Sequence, residues 1–217
     1  MKEIDINTWK RKALYECFSA YDHPVFNIAV RTDVTNLVEF CKKRELSFFT
    51  AFLYVVSERL NGIEDFRIRI MPDGKVVLFD KIDPSFVVMN DCGVIVTCPT
   101  PMEDGFSRFY KTARDNIEKA RKGNLPPSFN KTDRRDLFYI SCMPWADFCA
   151  VGNPYNMKDA SATSIPRLTW GRYSSENGRL LMTLDISVHH ALMDGLPVTQ
   201  GFNAVQAALD DIENFLK

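Results

Sequence analysis

The chain has 217 residues, of which 46% are hydrophobic and 25% charged, and its formal net charge is −1. That length fits one domain with a sizeable core. The near-neutral charge excludes electrostatic attraction as a route to nucleic acid or an anionic membrane. No stretch reaches the roughly 20 apolar residues of a membrane span.

Basic residues occur in short groups such as Lys42-Lys43-Arg44, which read as a solvated helix end. The start, Met1-Lys2-Glu3-Ile4-Asp5, lacks the apolar stretch of a signal peptide. The six cysteines (Cys17, Cys41, Cys92, Cys98, Cys142, Cys149) form no C-x-x-C pair and sit singly in apolar surroundings. Together these features predict reduced, buried thiols and a cytoplasmic protein.

Along the chain, residues 5–21 predict an opening segment with a short helix through Trp9, Leu14 and Phe18. Residues 25–32 are extended, and Asp33 or Thr35 caps a helix running to about Glu45. A more apolar helix, buried around most of its circumference, runs from Ser47 to about Leu60 and stops at Asn61-Gly62. Strands are expected at 66–71 and 75–79 around Pro72-Asp73-Gly74, then at 85–89 and 94–98 around Asp91-Cys92-Gly93. Phe106, Phe109, Ala113, Ile117 and Ala120 mark a helix within 103–122, stopped by Leu125-Pro126-Pro127. A strand follows at 137–143. Residues 167–174 and 179–189 form a hairpin about Glu176-Asn177-Gly178, and a helix from about Leu196 to Leu216 closes the chain. No repeat or linker divides the sequence, so residues 1–217 read as a single domain. Strands and helices without strict βαβ alternation predict an α/β (α+β) two-layer sandwich, its sheet mixed and largely antiparallel with helices packed on it.

The chemistry concentrates in His189-His190-Ala191-Leu192-Met193-Asp194-Gly195, between a long strand and the last helix. Histidine exchanges protons near neutral pH. Adjacent strand residues point to opposite faces, so at most one of the pair faces a given pocket. The spacing alone accommodates a catalytic base or a structural His-His pair. A metal site lacks a completing ligand set, since the third histidine is the distant His23 and no H-E-x-x-H or cysteine cluster is present. A Ser-His-Asp hydrolase lacks a G-x-S-x-G elbow.

This heptapeptide resembles the H-H-x-x-x-D-G signature of the chloramphenicol acetyltransferase family, to which dihydrolipoyl acyltransferase domains carry a related motif. Four further segments resemble the family in its order. They are Asn7-Thr8-Trp9-Lys10-Arg11-Lys12, Phe79-Asp80-Lys81-Ile82-Asp83-Pro84-Ser85-Phe86, Ile140-Ser141-Cys142-Met143-Pro144-Trp145 and Ile165-Pro166-Arg167-Leu168-Thr169-Trp170-Gly171-Arg172-Tyr173. The resemblance covers essentially the whole chain.

What it implies is an O-acetyltransferase acting on chloramphenicol or a similar aromatic hydroxyl compound. Acetyl-CoA is the co-substrate, and no bound cofactor or metal is expected. His190 is the implied general base of a direct ternary-complex transfer, and Ser141 the donor to the tetrahedral oxyanion. Asp194 pairs with Arg11 in a structural salt bridge, and Thr169 positions the acceptor through water. Phe18, Tyr21 and Phe26 line the acceptor pocket, Trp145 and Tyr173 lie near coenzyme A, and His189 is structural. The family often carries tyrosine where Phe18 aligns, and residues 21–28 align only after a small length change. His23 is expected in a solvent-exposed loop. The resemblance also implies a homotrimer with interface active sites. Two alternatives are transfer to another hydroxyl or a dihydrolipoyl-type acceptor, against which no lipoyl-bearing segment is present, and a non-catalytic ligand-binding member of the fold.

Overall fold

The computed structural model describes residues 1–123 and 134–217. The helix stop expected at Leu125-Pro126-Pro127 lies outside them. Among the described residues ten strands and seven α-helices are distinguished, with a 3-10 turn at Glu64–Arg67: β1 Lys2–Ile4, α1 Lys12–Ser19, β2 Val25–Asp33, α2 Thr35–Lys43, α3 Phe48–Asn61, β3 Ile68–Ile70, β4 Val76–Leu78, β5 Asp83–Met89, β6 Ile95–Pro99, α4 Phe106–Arg121, β7 Leu137–Cys142, α5 Ala160–Thr163, β8 Arg167–Trp170, β9 Ser174–Glu176, β10 Arg179–His189, α6 Gly195–Asp210 and α7 Ile212–Phe215. No helix of the described residues is long and apolar enough to cross a membrane.

The main sheet runs β2-β10-β8-β7-β5-β6, with β9 added on β10, and a small sheet runs β1-β4-β3. Within the main sheet β5–β7 and β7–β8 are parallel and the other pairs antiparallel, as the mixed, largely antiparallel sandwich requires. β10 organises it. Met182, Leu184, Ile186 and Val188 join Leu168 and Trp170 of β8, Phe138 and Ile140 of β7 and the apolar faces of α2, α3, α4, α6 and α7 in one core. The alternate residues of β10, Thr183, Asp185, Ser187 and His189, face the other way by strand alternation and are buried as well. The covering chain is the segment between β7 and α5, which has neither helix nor strand: Thr183 Oγ1 donates to Phe148 O at 2.5 Å and Asn27 Nδ2 to Val151 O at 3.5 Å.

Local chemistry explains the element ends. The Ser47 hydroxyl accepts from Thr50 N at 3.4 Å at the start of α3, and Asp33 accepts from Thr35 N at 3.0 Å ahead of α2. Four departures from the sequence-based expectations have physical causes. β1 exists because Lys2–Ile4 find partners in β4, a pairing between segments more than seventy residues apart. The opening helix starts only at Lys12, with Trp9 packed on Tyr15 ahead of it. The last helix breaks at Asp211, whose φ of −117° and ψ of 43° are not helical. The long hairpin is interrupted at Gly171-Arg172-Tyr173, where Arg172 N leaves the ladder and donates to Ala146 O at 2.8 Å. The cysteines also differ from expectation: Cys41 and Cys98 are buried and Cys142 partly so, but Cys17, Cys92 and Cys149 are exposed. They lie on the outer face of a short helix, in a turn and in the sheet-covering segment, where chain geometry outweighs residue preference.

Arg69, on β3, is fully buried. It donates to the carbonyls of Phe66, Ile68, Arg135 and Leu137 at 2.8–2.9 Å, tying the small sheet to the start of β7. Burial pulls its pKa down to about 9, opposed by the charge of Asp136.

The interruption at Gly171 has a steric basis. A Cβ there would lie 2.6 Å from Ala146 O and 2.9 Å from the Phe148 ring. Gly171→Ala is expected to destabilise the protein by about 1–3 kcal/mol, as overpacking does. A lower urea midpoint at unchanged slope would show it.

Candidate active site

The signature heptapeptide occupies the turn from β10 into α6. His189, the last residue of β10, is buried, and its Nδ1 accepts from Ala191 N at 3.2 Å. Burial, and secondarily the charge of His190, lowers its pKa from 6.5 to about 4. His190 follows with its side chain one-third exposed. Its N–H donates to Pro24 O at 2.7 Å, and its carbonyl accepts from Arg11 Nη2 at 2.7 Å, so the backbone is fixed on both sides of the ring.

Arg11 supplies most of that fixation. Besides His190 O it reaches Ala191 O through Nε at 2.9 Å. It also forms a two-pronged pair with Asp194, Nη2 to Oδ1 at 2.6 Å and Nη1 to Oδ2. Such a planar fork is the strong form of the ion pair. Its guanidinium is the main reason the Asp194 carboxyl titrates below its usual value. His190 Nδ1 approaches Asp194 Oδ1 to 3.3 Å, but off hydrogen-bond alignment, and the buried nitrogen has no hydrogen-bond partner among the described residues. Distance alone would suggest a triad-like dyad. Alignment governs hydrogen-bond strength, so Asp194 is primarily the partner of Arg11.

Of the three residues expected to line an acceptor pocket, two meet this ring directly and the third through Phe18. Phe18 stacks on the imidazole with centroids 3.8 Å apart and planes within 9°. Phe26 tilts against it at 4.7 Å, and Tyr21 meets Phe18 edge-on at 5.2 Å. His23 is exposed nearby.

Ser141 and Thr169 lie elsewhere. They are register partners across β7 and β8, and Thr169 pairs with Asp185 on β10. The row Ser141-Thr169-Asp185 therefore sits on the sheet face away from the helices, about 13 Å along the strand from His189, at roughly 3.3 Å per residue. Thr169 Oγ1 is buried without a partner among the described residues, while the Asp185 carboxylate accepts from Asn27 Nδ2 at 2.7 Å and Ser187 Oγ at 3.3 Å. Burial raises the pKa of Asp185. Within one chain, then, His190 meets its aromatic neighbours but not the Ser141-Thr169 row. Trp145 stands on the surface at 71% exposure, whereas Tyr173 is half-buried and packs edge-on against Phe48 at 5.4 Å in the helix layer.

Sequence inspection passed over Asp185, Arg167 and the cluster of Arg31 with Asp147 and Glu176 that pins the Trp145 turn. Arg167 was open to strand alternation counted from Thr169, and Asp185 to alternation counted back from His189. The Arg31 cluster joins residues more than a hundred positions apart and left no local signal. Among the described residues no group of three or more His, Cys, Asp and Glu is placed to hold a metal.

The depressed pKa of His189 has a consequence. The unfolded chain takes up this proton near pH 6.5 and the folded one only near 4, so the stability due to neutral His189 is complete above about 6.5 and declines as pH falls to about 4. Urea midpoints of the wild type are expected to fall across that window more steeply than those of His189→Gln; parallel curves would contradict this.

Comparison with known proteins places these features. The family model described as chloramphenicol acetyltransferase matches residues 1–206. A chloramphenicol acetyltransferase of Proteus mirabilis is 28% identical over 209 residues, which cover 96% of this chain and 94% of that protein. A solved chloramphenicol acetyltransferase superposes with a TM-score of 0.84 at 28% identity, covering all of both chains. The dihydrolipoamide acetyltransferase of Azotobacter vinelandii shares the fold, at a TM-score of 0.70 and 17% identity over 100% of this chain and 94% of its own. With its signature turn, its Arg11–Asp194 clamp and a family match over nearly its full length, the chain belongs to the chloramphenicol acetyltransferase family and is an acyltransferase of that type.

Proposed function

We propose that the protein transfers the acetyl group of acetyl-CoA to a hydroxyl of chloramphenicol or a similar aromatic acceptor, with His190 as general base. The observation that carries this is the clamped turn: His190 is held through its own N–H and carbonyl while part of its ring remains open to solvent. Nε2 takes the acceptor proton, the oxygen attacks the thioester carbonyl carbon, and the C–S bond breaks as the coenzyme thiolate leaves and recovers the proton. Ser141 donates to the tetrahedral oxyanion and Thr169 positions the acceptor through water. Phe18, Tyr21 and Phe26 provide apolar contact around the base, while Trp145 and the open edge of Tyr173 contact coenzyme A. Asp194 and Arg11 hold the turn and touch no reacting atom.

The separation of His190 from the Ser141-Thr169 row supports an assembled site. A homotrimer in which His190 of one subunit faces the row of the next brings base and oxyanion donor together, and makes assembly a condition of turnover. Residues 1–217 act as one domain in this reading, and the protein works in the cytoplasm, where acetyl-CoA is available. Transfer to a dihydrolipoyl group is the lesser reading, since the structural likeness to the dihydrolipoamide enzyme is one of fold.

Thiol release from acetyl-CoA in the presence of chloramphenicol tests the proposal. His190→Ala is expected to lower turnover by at least the factor of about 10²–10⁴ that a general base contributes, with oligomeric state and melting temperature retained. Near-normal turnover would remove His190 from the role. Asp194→Asn is expected to lower stability and activity together; a fully stable but inactive variant would give Asp194 a direct part in the chemistry.

A further inference from the structure

The sheet face that carries Ser141 and Thr169 also carries an arginine without a counter-ion. Arg167 precedes Thr169 by two residues on β8, on the same face by alternation, and is in register with Tyr139 of β7 and Ser187 of β10. Among the described residues no carboxylate pairs with it. Asp185, one row away, is occupied by Asn27 and Ser187, and Asp159 accepts from Ser161 Oγ and Ala162 N at α5. The guanidinium lies 4.0 Å above the Tyr155 ring and 5.9 Å from that of Tyr139, and Nη1 donates to Pro154 O. Among the described residues its Nε is buried without a partner, as are Asn153 Nδ2, beside Pro154, and Thr169 Oγ1. Burial lowers the pKa of Arg167, which the two tyrosines oppose only in part.

A desolvated cation with an unused N–H, next to further unused donors, is costly as it stands. An anion or strong acceptor placed there would satisfy it, and a carboxylate suits the planar fork. The segment above it forms neither helix nor strand, so a guest displaces side-chain contacts and no sheet ladder. We propose that Arg167 anchors an anionic group of the acceptor, so that the preferred acceptor is a hydroxyl compound bearing a carboxylate, its charge on Arg167 and its hydroxyl toward Thr169 and Ser141. This rests on the transfer function proposed above and narrows its substrate class. The β-strand rise places the Cα atoms of Arg167 and Thr169 roughly 6.6 Å apart, a span comparable to an aromatic ring with its substituents.

The test pairs 4-(hydroxymethyl)benzoate with its methyl ester as acceptors, beside chloramphenicol, for the wild type, Arg167→Leu and Arg167→Lys, with melting curves for each. The wild type is expected to favour the acid over the ester by roughly 10- to 100-fold in kcat/KM, the range of a charge-assisted hydrogen bond. The preference should disappear in Arg167→Leu and survive in reduced form in Arg167→Lys, and it should lie in the acceptor KM. Equal use of acid and ester by the wild type, or a preference that persists in Arg167→Leu, would overturn the proposal. So would an effect confined to the KM of acetyl-CoA, which would give the anion to the coenzyme. Should no acceptor be acetylated, the transfer reading itself fails, and calorimetry decides the anion site separately. Uptake of 4-(hydroxymethyl)benzoate by the wild type but not by Arg167→Leu upholds it, and no uptake rejects it.

Discussion

The arrangement turns on one guanidinium. Arg11, ahead of a short helix near the start of the chain, reaches residues about 180 positions away and binds the 190–194 turn at two carbonyls and both carboxylate oxygens. Without it the turn would leave two carbonyls short of a donor and a carboxylate short of a charge. With it, the turn is a fixed platform from which a histidine ring projects. The contact is partly buried, at 11% and 41% side-chain exposure, so removing one partner costs the turn both its geometry and part of its stability.

The two faces of β10 divide the labour. One face is apolar and locks the strand into the helix layer. The other is polar and nevertheless buried, a condition that demands partners for every group. Asp185 and Thr183 find theirs in Asn27, Ser187 and Phe148. Thr169 and Arg167 Nε, on the neighbouring strand, find none among the described residues. Arg167 Nε, Asn153 Nδ2 and Thr169 Oγ1, unused among the described residues, mark this patch as suited to a group from outside the chain.

Much of this was legible in the sequence. The α3 boundaries followed from Ser47 and Asn61-Gly62, and the β3–β4 and β5–β6 pairs from their Gly-centred turns, because caps and turns are local chemistry. The fold class followed from element order. Illegible were features set by distant partners: β1, which exists only by virtue of β4; the parallel contacts of β7 with β5 and β8; and the exposure of Cys17, Cys92 and Cys149. At the site, turn chemistry singled out the 189–195 segment, and the resemblance suggested Ser141, Thr169 and the Arg11–Asp194 pair. Neither could place Phe18 flat against His190, since ring stacking depends on how α1 docks against the turn that follows β10. Nor did composition around Phe18, Tyr21 and Phe26 register the polar Ser141-Thr169 row, which lies more than a hundred residues further along the chain.

Arg69 carries a consequence of another kind. Its donors reach the carbonyls of Phe66, Ile68, Arg135 and Leu137, and a carbonyl is the same whatever side chain stands beside it. The lock between the two sheets therefore recognises the path of the chain and not its spelling. Drift at the four gripped positions leaves the grip in place, whereas the arginine has no substitute among the twenty side chains, lysine having neither the fork nor the reach in four directions. The burden of keeping the sheets joined thus falls unevenly on the genetic text, on one codon rather than five.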